Sequence, residues 1–356
     1  MMGIFIIADA GVNHNGNLDT ALQLVDVAVA AGANAVKFQT FKTEKLVTKK
    51  ADKADYQKQT TASEENQFEM LRKLELDYAW HLPLRDHCHK QGIVFLSTAF
   101  DFDSLAFLID EVGLDSLKIP SGEITNGPFL LAHAQSGKPI ILSTGMATLG
   151  EIETALGVLA FGYLGWSEPS LTRFQEAYAS AEGQTRLQRN VTLLHCTSEY
   201  PTPAEHVNLR AMNTLQQAFD LAVGYSDHTE GLAVPIAAAA SGASVIEKHF
   251  TLDRALKGPD HKVSLEPDEL KTMVSAIRTI ELALGSAHKT PQPVELQNRN
   301  AARKSVVAAR EIQPGEAFNN ENLACKRPGT GLSPMLFWQL QEQASQQHYQ
   351  PDDLIE

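Results

Sequence analysis

Cysteine is scarce. Only Cys88, Cys196 and Cys325 occur in 356 residues, and they are widely scattered. Their odd number and spacing argue against a disulfide framework and against a cysteine-based zinc site, and for free thiols in a reducing cytoplasm. Long apolar runs are missing, so no membrane span is expected. The opening MMGIFIIADAG has neither a basic n-region nor a small-residue cleavage site, so no signal peptide is expected. Basic residues are outnumbered, 30 Lys and Arg against 43 Asp and Glu, giving a formal net charge of −13. That balance disfavours a nucleic-acid surface. It leaves room for a phosphorylated small molecule, because a few local lysines can dominate one pocket. A dinucleotide fingerprint is also lacking, since Gly11 and Gly16 do not fit its spacing.

What the chain does contain is one unit repeated: a short apolar run, a polar end, then a helical segment. The apolar runs are Ile4–Ala8, Ala33–Phe38, Ile93–Ser97, Leu117–Ile119, Pro139–Leu142, Val191–Leu194, Leu221–Val223 and Ala243–Ile246. Runs of this length and kind read as buried parallel strands. Eight strand–helix units in about 280 residues predict an α/β fold, a (β/α)8 TIM barrel, over residues 1–285. A lysine-, threonine- and glutamine-rich insertion spans Thr43–Thr61, followed by a helix across Gln67–Gln91. A second insertion, Phe161–Asn190, reads as a surface or lid element. Residues 286–300 read as a linker, and 301–356 as a small separate domain near the lower limit for independent stability.

In such a barrel the polar strand ends share one rim. Asp9, Lys37 with Gln39, Thr98, Lys118 with Ser121 and Glu123, Ser143, the stretch from His195 to Tyr200, Ser226 with His228, and Glu247 to His249 all fall there. His228 and His249 close adjacent strands. Two neutral imidazoles on one rim can hold a divalent transition metal with open positions for substrate oxygen; the competing reading is that each caps its strand. Lys37 and Lys118 interrupt apolar strands, where a lysine is costly unless paired. With hydroxyls nearby they suit a phosphate, or else each forms a structural ion pair. Glu123 reads either as a general acid or base or as the partner of Lys118, and Asp9 either as a catalytic carboxylate or as a cap on its own loop. Asp260, in GPDH, reads as an acceptor for substrate hydroxyls or as a turn cap. Asn13-His14-Asn15-Gly16 reads as a turn with satisfied side chains.

The set ADAGVNHNG, AVKFQTF, FLSTAFD, KIPSGEITN, ILSTGMATL, LLHCTSEYPTP, GYSDHT, VIEKHFTLD, GPDH and KRPGTGLSPM resembles the sialic acid synthase family along nearly the whole chain and in order. The C-terminal segment is similar to that family's antifreeze-like (SAF) domain. The resemblance implies condensation of phosphoenolpyruvate with an open-chain N-acetylated amino sugar, giving a nine-carbon 2-keto acid and inorganic phosphate. It implies a divalent metal, typically Mn2+ with Mg2+ or Co2+ as alternatives, held by His228 and His249. Phosphoenolpyruvate contacts carry over to Lys37, Thr98, Lys118, Ser121, Ser143 and Ser226, with Ser198 where some members have Asn or Thr. Sugar contacts carry over to Gln39, Tyr200 and Asp260. Glu123 and Asp9 would stabilise positive charge developing at C2, although Asp9 stands where the family often has Glu. Arg327 would reach a partner's sugar across a domain-swapped homodimer.

The implied acceptor is N-acetylmannosamine, which makes N-acetylneuraminate. The alternative is 2,4-diacetamido-2,4,6-trideoxymannose, which makes N,N′-diacetyllegionaminate. Two readings of other classes remain: a Schiff-base barrel aldolase with Lys118 or Lys37 as nucleophile, and a non-catalytic sugar-binding protein.

Overall fold

The computed structural model describes residues 3–54, 57–58, 61 and 65–356. Thr43–Thr61 therefore lies partly outside the described residues. The chain divides into two compact units, Met1–Gly285 and Ser286–Glu356.

The first unit is a closed barrel of eight parallel strands in sequential order: β1 (Phe5–Gly11), β2 (Ala35–Thr40), β3 (Val94–Ala99), β4 (Leu117–Ile119), β5 (Ile140–Ser143), β6 (Val191–His195), β7 (Ala222–Asp227) and β8 (Val245–His249). Several strands run further toward their C-terminal ends than the apolar runs predict. The reason is the alternation of side chains. Along β1, β2, β3, β5 and β8 the inward residues begin apolar and end polar: Phe5, Ile7, Asp9; Ala35, Lys37, Gln39; Leu96, Thr98; Ile141, Ser143; Val245, Glu247, His249. Ile7, Ala35, Leu96, Leu194 and Val245 form one buried cluster, with Phe5 and Ile141 packed against it. This apolar plug closes the N-terminal half of the barrel, each large side chain contributing roughly 1.5–3 kcal/mol on burial. The upper half is polar and open. Gly224 makes the plug fit: a Cβ there would stand 2.4 Å from the Val245 carbonyl oxygen and 2.7 Å from Leu194 Cδ2.

Helices surround the barrel and bury their apolar stripe against it. The helix Leu18–Ala31 starts where the Asn17 side chain accepts from the Thr20 N–H and stops at left-handed Gly32. The expected single helix over Gln67–Gln91 is two, Gln67–Arg72 and Tyr78–Gln91, because Asp77 caps a fresh helix start. The insertion Phe161–Asn190 is no lid. The helix Leu149–Tyr163 runs into it, and two further helices, Leu171–Ala179 and Ala181–Asn190, bury Ala177 and Leu187 in the main core. The last of them leads directly into the N-terminal end of β6. No helix among the described residues is long and apolar enough to cross a membrane.

The second unit has its own core of Val306, Ala308, Ile312, Phe318, Leu323, Tyr349 and Ile355. Its strands β9 (Ser305–Ala308) and β10 (Leu323–Lys326) pair antiparallel. The segment expected as a linker holds a helix, Pro293–Ala302, started by proline at its first turn and by reciprocal bonds between Gln292 and Glu295.

Candidate active site

Register brings the polar strand ends level. Asp9 pairs with Lys37 on one side and His249 on the other, Thr98 with both Gln39 and Lys118, and Ser226 with Glu247. Their side chains line one cavity of about 340 Å3 at the C-terminal mouth of the barrel. Of the residues expected at the site, Asp9, Lys37, Gln39, Thr98, Lys118, Ser121, Ser143, Ser198, Tyr200, Ser226, His228, His249 and Asp260 all line it. This is where a (β/α)8 barrel places catalytic groups.

The charges inside are paired and buried. Lys37 Nζ lies 2.8 Å from Asp9 Oδ2 and 3.8 Å from Glu247 Oε2. Lys118 Nζ lies 3.8 Å from Glu247 Oε1, and donates to Ser143 Oγ at 2.7 Å and to the Ile119 carbonyl at 3.1 Å. Ser226 Oγ donates to Glu247 Oε1 at 2.8 Å. Burial works against both lysines. For Lys37, Asp9 and Glu247 more than offset it and hold the ammonium above its ordinary pKa. For Lys118 burial wins and the pKa falls, with Lys37 adding repulsion against the pull of Glu247. Burial pushes the Asp260 carboxyl up, and neighbouring Asp9 adds to this.

Glu123 is not at the cavity. It lies in the turn Ser121–Glu123, half-buried, and its Oε2 accepts from Asn126 Nδ2 at 2.7 Å. Ser121 and Gly122 reach the mouth from the same turn, and Glu123 does not line it. It does not pair with Lys118 either. Glu247 stands there, a residue to which sequence reasoning gave no role. The signal was available, since Glu247 shares inward parity with Val245 and His249. Cys196 also lines the cavity, with Sγ 3.2 Å from Ser121 Oγ. His195, beside it, points away and bonds the Val207 carbonyl at 2.7 Å.

His228 and His249 come together, their ring centroids 5.8 Å apart. His228 Nδ1 donates to the Thr197 carbonyl at 2.6 Å, which turns Nε2 toward the cavity, where the Tyr200 hydroxyl lies 3.1 Å away. Burial, then the neighbouring His249, lowers the His228 pKa to about 4. His249 Nε2 is 3.5 Å from Asp9 Oδ2, and its Nδ1 is buried with no hydrogen-bond partner. Gly11 makes room for this ring: its φ is +51°, and a Cβ there would stand 3.2 Å from His249 Cε1. One imidazole oriented by a backbone carbonyl and one with an orphaned buried nitrogen fit a divalent transition metal. Among the described residues no cluster of three or more His, Cys, Asp or Glu side chains stands ready to hold one. The protein would supply two donors, leaving the remaining positions to water and substrate.

Arg327 belongs to the second unit. Its side chain is exposed, and no hydrogen bond or ion pair engages it among the described residues.

A closed (β/α)8 barrel with lysines, hydroxyls and paired histidines at its C-terminal mouth is the architecture of an enzyme acting on a small anionic substrate. Residues 24–289 match the NeuB family and residues 303–339 the SAF domain, and the chain belongs to the NeuB family. It is 48% identical to the N,N′-diacetyllegionaminic acid synthase of Campylobacter jejuni, over 100% of this chain and 99% of that one. It is 46% identical to the enzyme of the same name from Legionella pneumophila, over 94% and 88%. Among solved structures it resembles the N-acetylneuraminic acid synthetase of Leptospira borgpetersenii in complex with citrate, with a TM-score of 0.66 and 34% identity over 83% of this chain and 90% of that one.

Proposed function

We propose that the protein is an N,N′-diacetyllegionaminate synthase, condensing phosphoenolpyruvate with 2,4-diacetamido-2,4,6-trideoxymannose and releasing phosphate. The observation that carries the choice of sugar is the 48% and 46% identity to two such synthases over 99% and 88% of their lengths, against 34% to an N-acetylneuraminic acid synthetase. This reverses the order in which the sequence reading placed the two acceptors.

The residues divide the work. Lys118, with Ser143, Ser121 and Ser198, supplies cation and hydroxyl donors for the phosphate and carboxylate of phosphoenolpyruvate, and Lys37, Thr98 and Ser226 complete the set. Gln39, Tyr200 and Asp260 offer donors and acceptors to the sugar. As C3 of phosphoenolpyruvate bonds to the sugar aldehyde carbon, positive charge develops at C2. Glu247 and Asp9, buried beside Lys37 and Lys118, are the carboxylates of the cavity placed to stabilise it; Glu123 does not line the cavity. Water adds at C2, and C–O cleavage then releases phosphate. His228 and His249 would hold a divalent metal, Mn2+ being the reading the resemblance favours, which when bound supplies Lewis-acid polarisation of the aldehyde oxygen.

The working form is proposed to be a domain-swapped homodimer in which exposed Arg327 serves the partner's sugar site. The unpaired state of Cys88, Cys196 and Cys325 supports a cytoplasmic location.

The test is phosphate release from phosphoenolpyruvate by metal-stripped protein, with and without Mn2+, offering the two acceptor sugars separately. Mn2+-dependent release with a preference for the trideoxy sugar is expected. Release only with N-acetylmannosamine would return the protein to the sialic acid reading.

A further inference from the structure

The cavity has two unlike sides. Lys118 and Ser121, Ser143, and Ser198 enter it from the ends of β4, β5 and β6, and Lys37, Thr98 and Ser226 from β2, β3 and β7. In a closed ring of eight strands, β6 stands opposite β2. The segment that follows β2 contributes something quite different. Leu46, Val47, Met70, Leu71 and Leu74 line the same cavity, joined by Phe100 from just after β3. Met70 and Leu74 are buried with Val12 and Phe41 in a small core of their own, against which Leu46, Leu71 and Phe100 pack. Phe41 and Phe100 meet edge-on, their centroids 6.1 Å apart. Leu46, Val47, Leu71 and Phe100 are only half-buried, so part of each stays uncovered at the cavity. The polar groups this segment adds to the cavity are the uncharged amides of Gln57 and Gln67, while β2 and β3 themselves carry Lys37, Gln39 and Thr98.

We propose that this apolar wall is the subsite for the deoxygenated C6 end of the acceptor sugar, and that it makes the enzyme selective for 6-deoxy over 6-hydroxy acceptors. The inference rests on the reading given above. With phosphoenolpyruvate held between Lys118 and Lys37 inside the strands and the aldehyde at the histidine pair, the sugar chain extends outward toward the loops of the mouth. The surface it meets across the barrel is the wall. A C6 methyl there replaces water against leucine and phenylalanine. A C6 hydroxyl would lose its hydrogen bonds to water; the wall's leucine, valine, methionine and phenylalanine side chains offer none, and the nearby Gln57 and Gln67 amides face each other, Gln67 Nε2 donating to Gln57 Oε1 at 3.5 Å. A hydrophobic subsite of this kind discriminates by about 10–100-fold for one small group, not by more.

Two acceptors that differ only at C6 isolate the effect: 2-acetamido-2,6-dideoxymannose and N-acetylmannosamine. The wild-type enzyme with Mn2+ is expected to show a kcat/KM ratio of about 10 or more in favour of the deoxy sugar. Leu71→Gln and, independently, Leu46→Gln should each shift that ratio about 10-fold or more toward N-acetylmannosamine, leaving the KM for phosphoenolpyruvate within about 2-fold. Both residues are half-buried, and circular dichroism and thermal melts identify a variant that keeps its fold. A wild-type enzyme indifferent to the C6 hydroxyl would overturn the wall proposal while leaving the synthase reading intact. So would a ratio unmoved in both variants. Absence of phosphate release with these two sugars and with the 2,4-diacetamido trideoxy sugar would overturn the synthase reading and the wall together.

Discussion

Glu247 and Lys118 face each other across 3.8 Å inside the barrel, with side chains almost wholly shielded from water. Lys37 stands at the same distance on the other side of that carboxylate. One glutamate thus balances two buried ammonium groups, with Asp9 assisting at Lys37. In the proposed reaction an incoming phosphate would compete with Glu247 for the lysines. The carboxylate is then left close to any positive charge that forms beside it.

Glu247→Gln keeps the shape and removes the charge. The expected outcome is a fall in kcat of about 10-fold or more with no rise in the KM for phosphoenolpyruvate, since the lysines are freer to bind it. Steady-state kinetics decide this. A raised KM with unchanged kcat would mean that the carboxylate only orients the lysines.

Lys118→Met should raise the KM for phosphoenolpyruvate by about 10–100-fold, the value of one or two charge-assisted hydrogen bonds, and leave the sugar KM nearly unchanged. Borohydride treatment in the presence of pyruvate should not trap a covalent adduct in the wild-type protein. Stoichiometric trapping would favour the Schiff-base aldolase.

Behind the site, Lys248 Nζ lies 2.7 Å from Asp227 Oδ2, and both side chains are fully buried. The pair ties β8 to β7 one residue before each of His228 and His249. Lys248→Met strands a buried carboxylate and should cost about 3–5 kcal/mol in urea unfolding. Adding Asp227→Leu should recover part of that loss. A double variant no more stable than the single one would show that the pair contributes more than mutual compensation.

His133 is buried on the barrel side of its helix. Its Nδ1 donates to the Phe129 carbonyl at 2.8 Å, and its Nε2 has no partner. Burial lowers its pKa from 6.5 to about 4. Below pH 6.5 the unfolded chain takes up a proton there that the folded protein refuses. The contribution is therefore complete above pH 6.5 and is lost as pH falls toward 4. His133→Leu cannot titrate, so its stability relative to wild type should improve across that interval by on the order of 2–3 kcal/mol. Denaturant titrations at pH 7 and pH 4.5 measure it, and parallel curves for the two proteins would refute the assignment.

Arg327→Ala should impair use of the sugar more than of phosphoenolpyruvate. Mixing it with a Lys118→Met protein should restore activity if the arginine serves a partner subunit. Mixtures no more active than the sum of their parts would count against a swapped dimer.

The sequence by itself determined the barrel. Eight apolar runs with polar ends, separated by helix-length segments, fit few other architectures, because parallel strands buried on both faces need such runs and crossover helices to cover them. It also determined most of the cavity, since a polar residue closing an apolar strand has the mouth as its natural solvent. What the sequence reading left open was which of several polar neighbours lines the cavity, although the parity of β8 already pointed Glu247 inward. Glu123 and Glu247 both lie within a few residues of a strand end, and only the turn at Ser121–Glu123 and the inward parity of β8 separate them. The wall was hidden for a different reason. Leu46, Val47, Met70, Leu71 and Leu74 read as ordinary apolar residues of an insertion and a helix. Only their placement beyond the end of β2, across the ring from Ser198 after β6, turns them into one face of the cavity. Spacing along the chain carries the period of a strand or a helix, but closure of the barrel decides which residues meet across its mouth.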